Sequence, residues 1–434
     1  MFTQYSLAMR HRRQFLQKSI AATLGAFGAQ NLVQQLYAAP LADAYRYLDP
    51  NNPATDATNE DFWTFFQQAY TVNPNVLNLN NGGVSPAPKV VQEALHRYND
   101  QANQAPSYYM WRIIDAGREP LRAKLAQLAG CKPEEIAINR NATEALCTVT
   151  YGLPLQKGDE VIGTLQDYPN MIQAWRQRQQ REGIVYKQIS FDFPIENDQQ
   201  IVDAFAAAIT PRTRLLHLTH IINWVGKIAD MAHARGVEVM VDGAHSFGLL
   251  DFKIPDLGAD YFGTSLHKFL SAPIGSGLLW IRQDKIGKIW PLTCNGQPQS
   301  TDIRKFETLG TRSFCIEQAI GEAINFQEAM GSRRKQERIH YLKQYWASRA
   351  AQIPGVRLHT SLLPAYSCAI AGVSMDGLKP EQLDARLMER YKIHTVGINW
   401  ENIHCVRVTP HVYTRPKDLD RLVNALEDIA KEAR

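Results

Sequence analysis

No CxxC pair occurs in the 434-residue chain, and its six cysteines, Cys131, Cys147, Cys294, Cys315, Cys368 and Cys405, are widely scattered. A chain this long needs no disulfide staples, so the six read as small core hydrophobes, and no metal site is expected. An excess of one charge is missing too. Lys and Arg number 47 against 43 Asp and Glu, and Arg10, Arg12, Arg13 and Lys18 account for the difference, because residues 1–40 contain no acid. The neutral body lacks the basic face that nucleic-acid binding needs. Long hydrophobic runs are also absent. The apolar stretch near the start is broken by Gln30, Asn31, Gln34 and Gln35, so no stable membrane span is expected. Neither repeats nor low-complexity tracts occur.

What is present is an ordinary globular composition, 45% hydrophobic and 21% charged, enough for a large core divided over two domains. The start, MRHRRQFLQKSIAATLGAFGAQNLVQQLYAAP, has a basic end, a weakly apolar middle and small residues at Ala38 and Ala39. That is the layout of an export leader over residues 1–40. The pair Arg12-Arg13, followed by Phe15-Leu16, resembles a twin-arginine signal. It implies the export machinery as a partner and a periplasmic destination, the alternative being a basic amphipathic helix on a cytoplasmic protein.

Beyond a polar segment at 41–75, short strand patterns alternate with helical ones. IAIN (136–139), DEVIG (159–163), IVYKQI (184–189), LLHLTH (215–220), VEVMVD (237–242), ADYFGTS (259–265) and SGLLWI (276–281) read as strands. This alternation predicts an α/β domain with a mostly parallel sheet and helices on both faces. From about 313, longer helices and then mixed elements predict a smaller α+β domain. The expected division is 41–75 packing on the small domain, 76–312 as the large domain and 313–434 as the small one.

Such sheets bind ligands at the carboxyl ends of their strands. After IAIN comes RNATEAL (140–146), a helix start whose free N–H groups can cradle a phosphate, or where Asn141 or Thr143 simply caps the helix. After VEVMV comes Asp242, whose carboxylate needs a cation or donor there. It can hold a proton on a heteroaromatic nitrogen, or cap the next turn. After ADYFGTS comes Lys268, an amine that a dry pocket makes nucleophilic near neutral pH. Ser265 and His267 lie beside it, and the Gly275-Ser276-Gly277 bend permits close backbone approach.

A phosphate cradle, an aspartate behind a strand and a lysine further on are what pyridoxal 5′-phosphate requires. DGAH (242–245) and SLHKFLSAPIGSGLL (265–279) resemble the class V aminotransferases of PLP fold type I. LNNGGVSPAP (79–88), NATEAL (141–146), DYPN (167–170) with Trp175, and RKFETLGTR (304–312) share the resemblance, which runs from about residue 75 to the end and is closest to the isopenicillin N epimerase-like branch. It implies a seven-stranded large-domain sheet and a homodimer with sites at the interface. By that likeness Lys268 forms the imine with the cofactor and Asp242 partners its ring nitrogen. Ala244 packs under the ring and His245 stands near its phenolic oxygen. Ala142, Thr143, Ser265 and His267 bind the phosphate, with Thr311 reaching that of a neighbouring subunit. Asn223 lies near the ring oxygen, Tyr168 stacks on the open face as a catalytic candidate, and Arg407 and Asn81 bind substrate.

Two departures stand out. The segment 221–236 is short for the family, which bears on Asn223 and Trp224. The cysteine nearest the carboxylate arginine, Cys405, is two residues before Arg407 in a strand pattern, and this argues against a cysteine desulfurase. Lys268 serves transamination, epimerisation and β-elimination alike. The resulting expectation is a PLP-dependent enzyme acting at Cα of an amino-acid-like substrate through an external aldimine, transaminase-like first, with an epimerase or C–S lyase as the alternative. A catalytically inactive PLP-fold binding protein would have no need of Lys268, Asp242 and Arg407 together.

Overall fold

Alternate residues of each strand enter opposite cores, which is how the predicted two-sided sheet is built. The computed structural model describes residue 48 and residues 53–220 and 225–433. The leader expected at 1–40, and Asn223 and Trp224, lie outside the described residues. After a short β1 (Leu77–Asn78) come β2 (Ile136–Asn139), β3 (Glu160–Thr164), β4 (Val185–Ile189), β5 (Thr213–Thr219), β6 (Glu238–Asp242), β7 (Tyr261–Ser265) and β8 (Gly277–Ile281). The seven-stranded sheet has the order β2-β8-β7-β6-β5-β3-β4, with β8 antiparallel to both neighbours and the remaining pairs parallel.

Leu216, Leu218, Val239, Val241 and Phe262 join one core, whereas Leu215, Met240 and Tyr261 join the other. That is the period-two alternation of a strand buried on both faces. On the second face lie α1 (Ala142–Gly152) and α2 (Pro169–Glu182). Gly263 lets α1 sit close to β7, since a Cβ there would lie 2.7 Å from Leu146.

The expected α+β unit is a four-stranded antiparallel sheet formed by β9 (Val356–Leu358), β10 (Ala371–Met375), β12 (Val396–Trp400) and β13 (Ile403–Val408), in the order β12-β13-β10-β9. A two-residue β11 (Ile393–His394) pairs with β1 in parallel. The domain limits read from the sequence shift. Leu77 and Leu79, placed in the large domain, pack in the small-domain core. Conversely α3 (Phe314–Met330), placed in the small domain, sends Ile320, Ala323 and Ile324 into the large one. Hydrophobic period fixes which side of an element is buried, but not which of two cores receives it.

The segment 41–75, which contains the helix Glu60–Gln68, was expected to pack on the small domain. Its Phe62, Trp63 and Phe66 share a cluster with Leu249 and Phe269 as well as Cys368 and Val412, so it bridges both units. Within segment 221–236 a helix spans Val225–His233 and contains Gly226. No helix among the described residues is long and apolar enough to cross a membrane.

Candidate active site

Asp242 ends β6 and Ser265 ends β7, so adjacent strands deliver both to the same edge of the sheet. Ala244 N–H donates to Asp242 Oδ1 at 2.9 Å. Burial pushes the Asp242 carboxyl up from its ordinary value, against the opposing pull of His217 and Lys268. An aspartate in this state favours a cationic partner.

Lys268 follows β7 in a turn closed by Ser271 N–H to Lys268 O at 3.0 Å, with Ser271 at φ 59°. Burial lowers its ammonium from 10.5 to about 8, although Asp242 opposes the shift. His245 Nε2 lies 2.8 Å from Gly82 O and 3.1 Å from Lys268 Nζ. The carbonyl can only accept, so Nε2 carries the hydrogen. With that hydrogen spent on Gly82, the ring nitrogen offers Lys268 no lone pair to accept an ammonium hydrogen, an arrangement that suits a neutral amine better than an ammonium.

At the other end of the site, Asn141 caps α1 by accepting from Glu144 N–H at 2.8 Å, the capping alternative raised by its sequence. Ala142 N–H donates to Ser265 Oγ at 2.9 Å, which leaves the hydroxyl hydrogen of Ser265 free for the pocket. His267 Nδ1 donates to Ser276 O at 3.0 Å, leaving Nε2 bare in the neutral ring. Gly277 permits this crowding, because a Cβ there would lie 2.6 Å from the Asn141 backbone. A cavity of about 750 Å³ opens here, lined by Asn141, Thr143, Tyr168 and Gly275 among others. Tyr168, at the start of α2, is 51% exposed, and its hydroxyl accepts from Asn170 Nδ2 at 3.1 Å. Thr311 stands exposed in the turn before α3.

Arg407 arrives from β13 of the small domain. Its Nη2 donates to Asn80 Oδ1 at 3.0 Å, its Nε is buried without a partner, and no carboxylate pairs with it among the described residues. Asn81, expected to bind substrate, is instead saturated: it donates to Thr409 O at 2.8 Å and accepts from Tyr413 at 2.7 Å. The contact with Arg407 belongs to its neighbour Asn80, because a bridge between Asn80 and Thr409 turns alternate side chains opposite ways. Sequence reading also passed over His217 and Asp167. The signal for His217 was a polar residue inside the apolar strand LLHLT.

The Aminotransferase class-V family profile matches residues 77–422. The chain belongs to the class V aminotransferase family. Over 398 residues it is 28% identical to isopenicillin N epimerase of Amycolatopsis lactamdurans, covering 85% of this chain and 99% of that relative. It is 23% identical over 392 residues to the cysteine desulfurase of Haloferax volcanii, covering 82% and 89% respectively. Among solved structures, the apo cysteine desulfurase of Thermococcus onnurineus NA1 superposes with a TM-score of 0.74 at 20% identity, covering 84% of this chain and 97% of that one.

Membership makes pyridoxal 5′-phosphate the cofactor of this class V protein, and the residues present fit it. Asp242 is a buried carboxylate suited to a protonated ring nitrogen, and Lys268 is an amine near neutrality suited to an aldehyde. Thr143, Ser265 and the α1 terminus offer donors to a phosphate. When bound, the cofactor supplies an electron sink for a carbanion at Cα.

One expectation is corrected. Cysteine desulfuration was set aside because of the position of Cys405, yet several relatives and structural neighbours of this chain are named cysteine desulfurase or probable cysteine desulfurase. Cys405 is buried against Gly372 with its thiol pushed up to about 11 by burial. The position of one thiol bears on that thiol alone and does not exclude the activity for which these relatives are named. Transaminase-like chemistry, placed first from the sequence, also yields, since the relatives named here carry epimerase and desulfurase names.

Replacing Arg407 with leucine is expected to raise KM for an amino-acid substrate by at least roughly 30-fold, because truncating a buried charge partner costs about 2–5 kcal/mol. Steady-state kinetics on the loaded enzyme should show kcat changing much less. An unchanged KM would remove Arg407 from substrate binding.

Proposed function

We propose that this protein inverts the configuration at Cα of an amino-acid-like substrate whose carboxylate is held by Arg407. The observation that carries inversion over the other outcomes is the end-to-end similarity to an isopenicillin N epimerase. The Lys268 amine, brought to about 8 beside His245, supplies a proton carrier that this reading shares with its alternatives. A group that changes protonation near neutrality can both take a proton from Cα and return one. Tyr168 at the cavity is the candidate proton carrier for the opposite face. Cleavage of a C–S bond is the second reading, favoured by the desulfurase relatives.

The deciding experiment incubates the loaded enzyme with L- and D-amino acids, cysteine and cystine included, in deuterated water. Proton NMR, chiral analysis and sulfide assays are read together. Deuterium at Cα with loss of optical purity is the expected result. Stoichiometric keto acid without inversion would return the protein to the transaminases, and sulfur release without inversion would establish the second reading.

The same proposal includes a homodimer and export of the folded protein. The exposed Tyr108, Trp111 and Ile113 offer an apolar surface for a second copy, which analytical ultracentrifugation would detect as a dimer mass and a monomer mass would refute. Arg12→Lys with Arg13→Lys is expected to hold the protein in the cytoplasm of fractionated cells, and undiminished periplasmic delivery would refute a twin-arginine route.

A further inference from the structure

Behind Asp242 lies a buried polar pair that the chemistry described above leaves unused. Trp175 on α2 and His217 on β5 are both fully buried, and the indole Nε1–H donates to His217 Nδ1 at 3.0 Å. An indole nitrogen can only donate. Nδ1 is therefore bare, and the ring carries its hydrogen on Nε2. That Nε2 has no hydrogen-bond partner among the described residues. A residue serving only to fill space would be apolar, since a buried N–H without an acceptor destabilises the fold.

The sheet register says what this hydrogen is near. β5 and β6 pair Thr219 with Asp242 and His217 with Met240. Side chains two apart share a face, so His217 lies diagonal to Asp242, one rung deeper in the sheet. The groups around Asp242 are His217, Lys268 and Asp167. Asp167 is itself buried and held by Thr219 Oγ1 at 2.9 Å and Thr164 N–H at 2.7 Å. A second carboxylate works against the charge of Asp242, and His217 works for it.

We propose that His217 is a positioning residue for the ring-nitrogen site: Trp175 fixes its tautomer, so that Nε2–H supports Asp242 from behind as an anion turned to the pocket. The role rests on cofactor use and holds whichever product forms.

The test uses the full chain loaded with pyridoxal 5′-phosphate. His217→Leu is expected to weaken cofactor retention roughly tenfold, through loss of a buried N–H dipole diagonal to the Asp242 charge in a low-dielectric site. It is also expected to move the pH midpoint of the visible absorption band upward by about one unit. A ring nitrogen without its proton withdraws fewer electrons, so the nitrogen linked at Lys268 keeps its own proton to higher pH. His217→Gln, which retains an N–H donor, should recover most of both effects. Trp175→Phe should shift them in the same direction as His217→Leu, and the double variant should add little. Nitrogen-15 NMR of the wild-type histidines reads the tautomer without any variant.

A proton on Nδ1 overturns the proposal. So does a folded His217→Leu protein with wild-type midpoint and retention. Should His217→Leu fail to fold, the NMR signal and the Gln and Phe variants still decide.

Discussion

Lys268→Ala is expected to yield a folded protein that no longer links pyridoxal 5′-phosphate covalently, and whose turnover falls by at least roughly 10⁴-fold. The size follows from losing at once a nucleophile and a proton carrier, the latter alone contributing about 10²–10⁴. Borohydride followed by mass spectrometry reads the linkage directly. Cofactor still attached to the Lys268→Ala chain at another lysine would overturn the assignment. The wild-type protein provides a companion measurement. The amine captures an aldehyde only when neutral, and burial lowers its titration from 10.5 to about 8. Because the folded-state value is depressed, the neutral fraction grows as pH rises through about 8. Stopped-flow capture by the cofactor-free protein should accelerate over that range and then level off. A midpoint near 10.5 would mean that the pocket leaves the amine unperturbed.

The second large effect belongs to Asp242→Asn, which removes the carboxylate charge while keeping the side-chain shape. Turnover is expected to fall roughly 10²–10³-fold, as when a preorganised electrostatic contact to the reacting system is lost. A linked shift should accompany it. Asp242 raises the Lys268 value against burial, so the variant should capture cofactor with a midpoint below about 8. Turnover within threefold of wild type, with the capture profile unmoved, would show that Asp242 does not face the ring nitrogen.

Much of the large domain was legible before folding was considered. Runs such as IAIN and VEVMVD are apolar on both faces, and β2 and β6 appear where those runs lie. Buried polar groups at the strand ends were legible for a related reason. A polar group directly behind a buried strand needs a partner, and Asp242 and Lys268 stand where that rule pointed. Less was legible wherever two segments distant in sequence had to meet. Asn80 and Asn81 are indistinguishable in NLNNGG, and only the bridge to Thr409 gives the Arg407 contact to Asn80 and buries Asn81. His217 looked like an ordinary strand residue until β5 and β6 were set in register and Trp175 arrived from α2.

By itself, then, the order of residues determined the alternation of strands and helices and the cofactor chemistry, because period and strand-end polarity are local properties of the chain. Tertiary structure alone decided which core receives α3, which asparagine meets Arg407, and what stands behind Asp242. Those depend on register and on contacts across hundreds of residues, which no local pattern records. The difference is one of range, since hydrophobic period acts within a turn or a strand, whereas a buried polar contact is settled only when all its partners are in place.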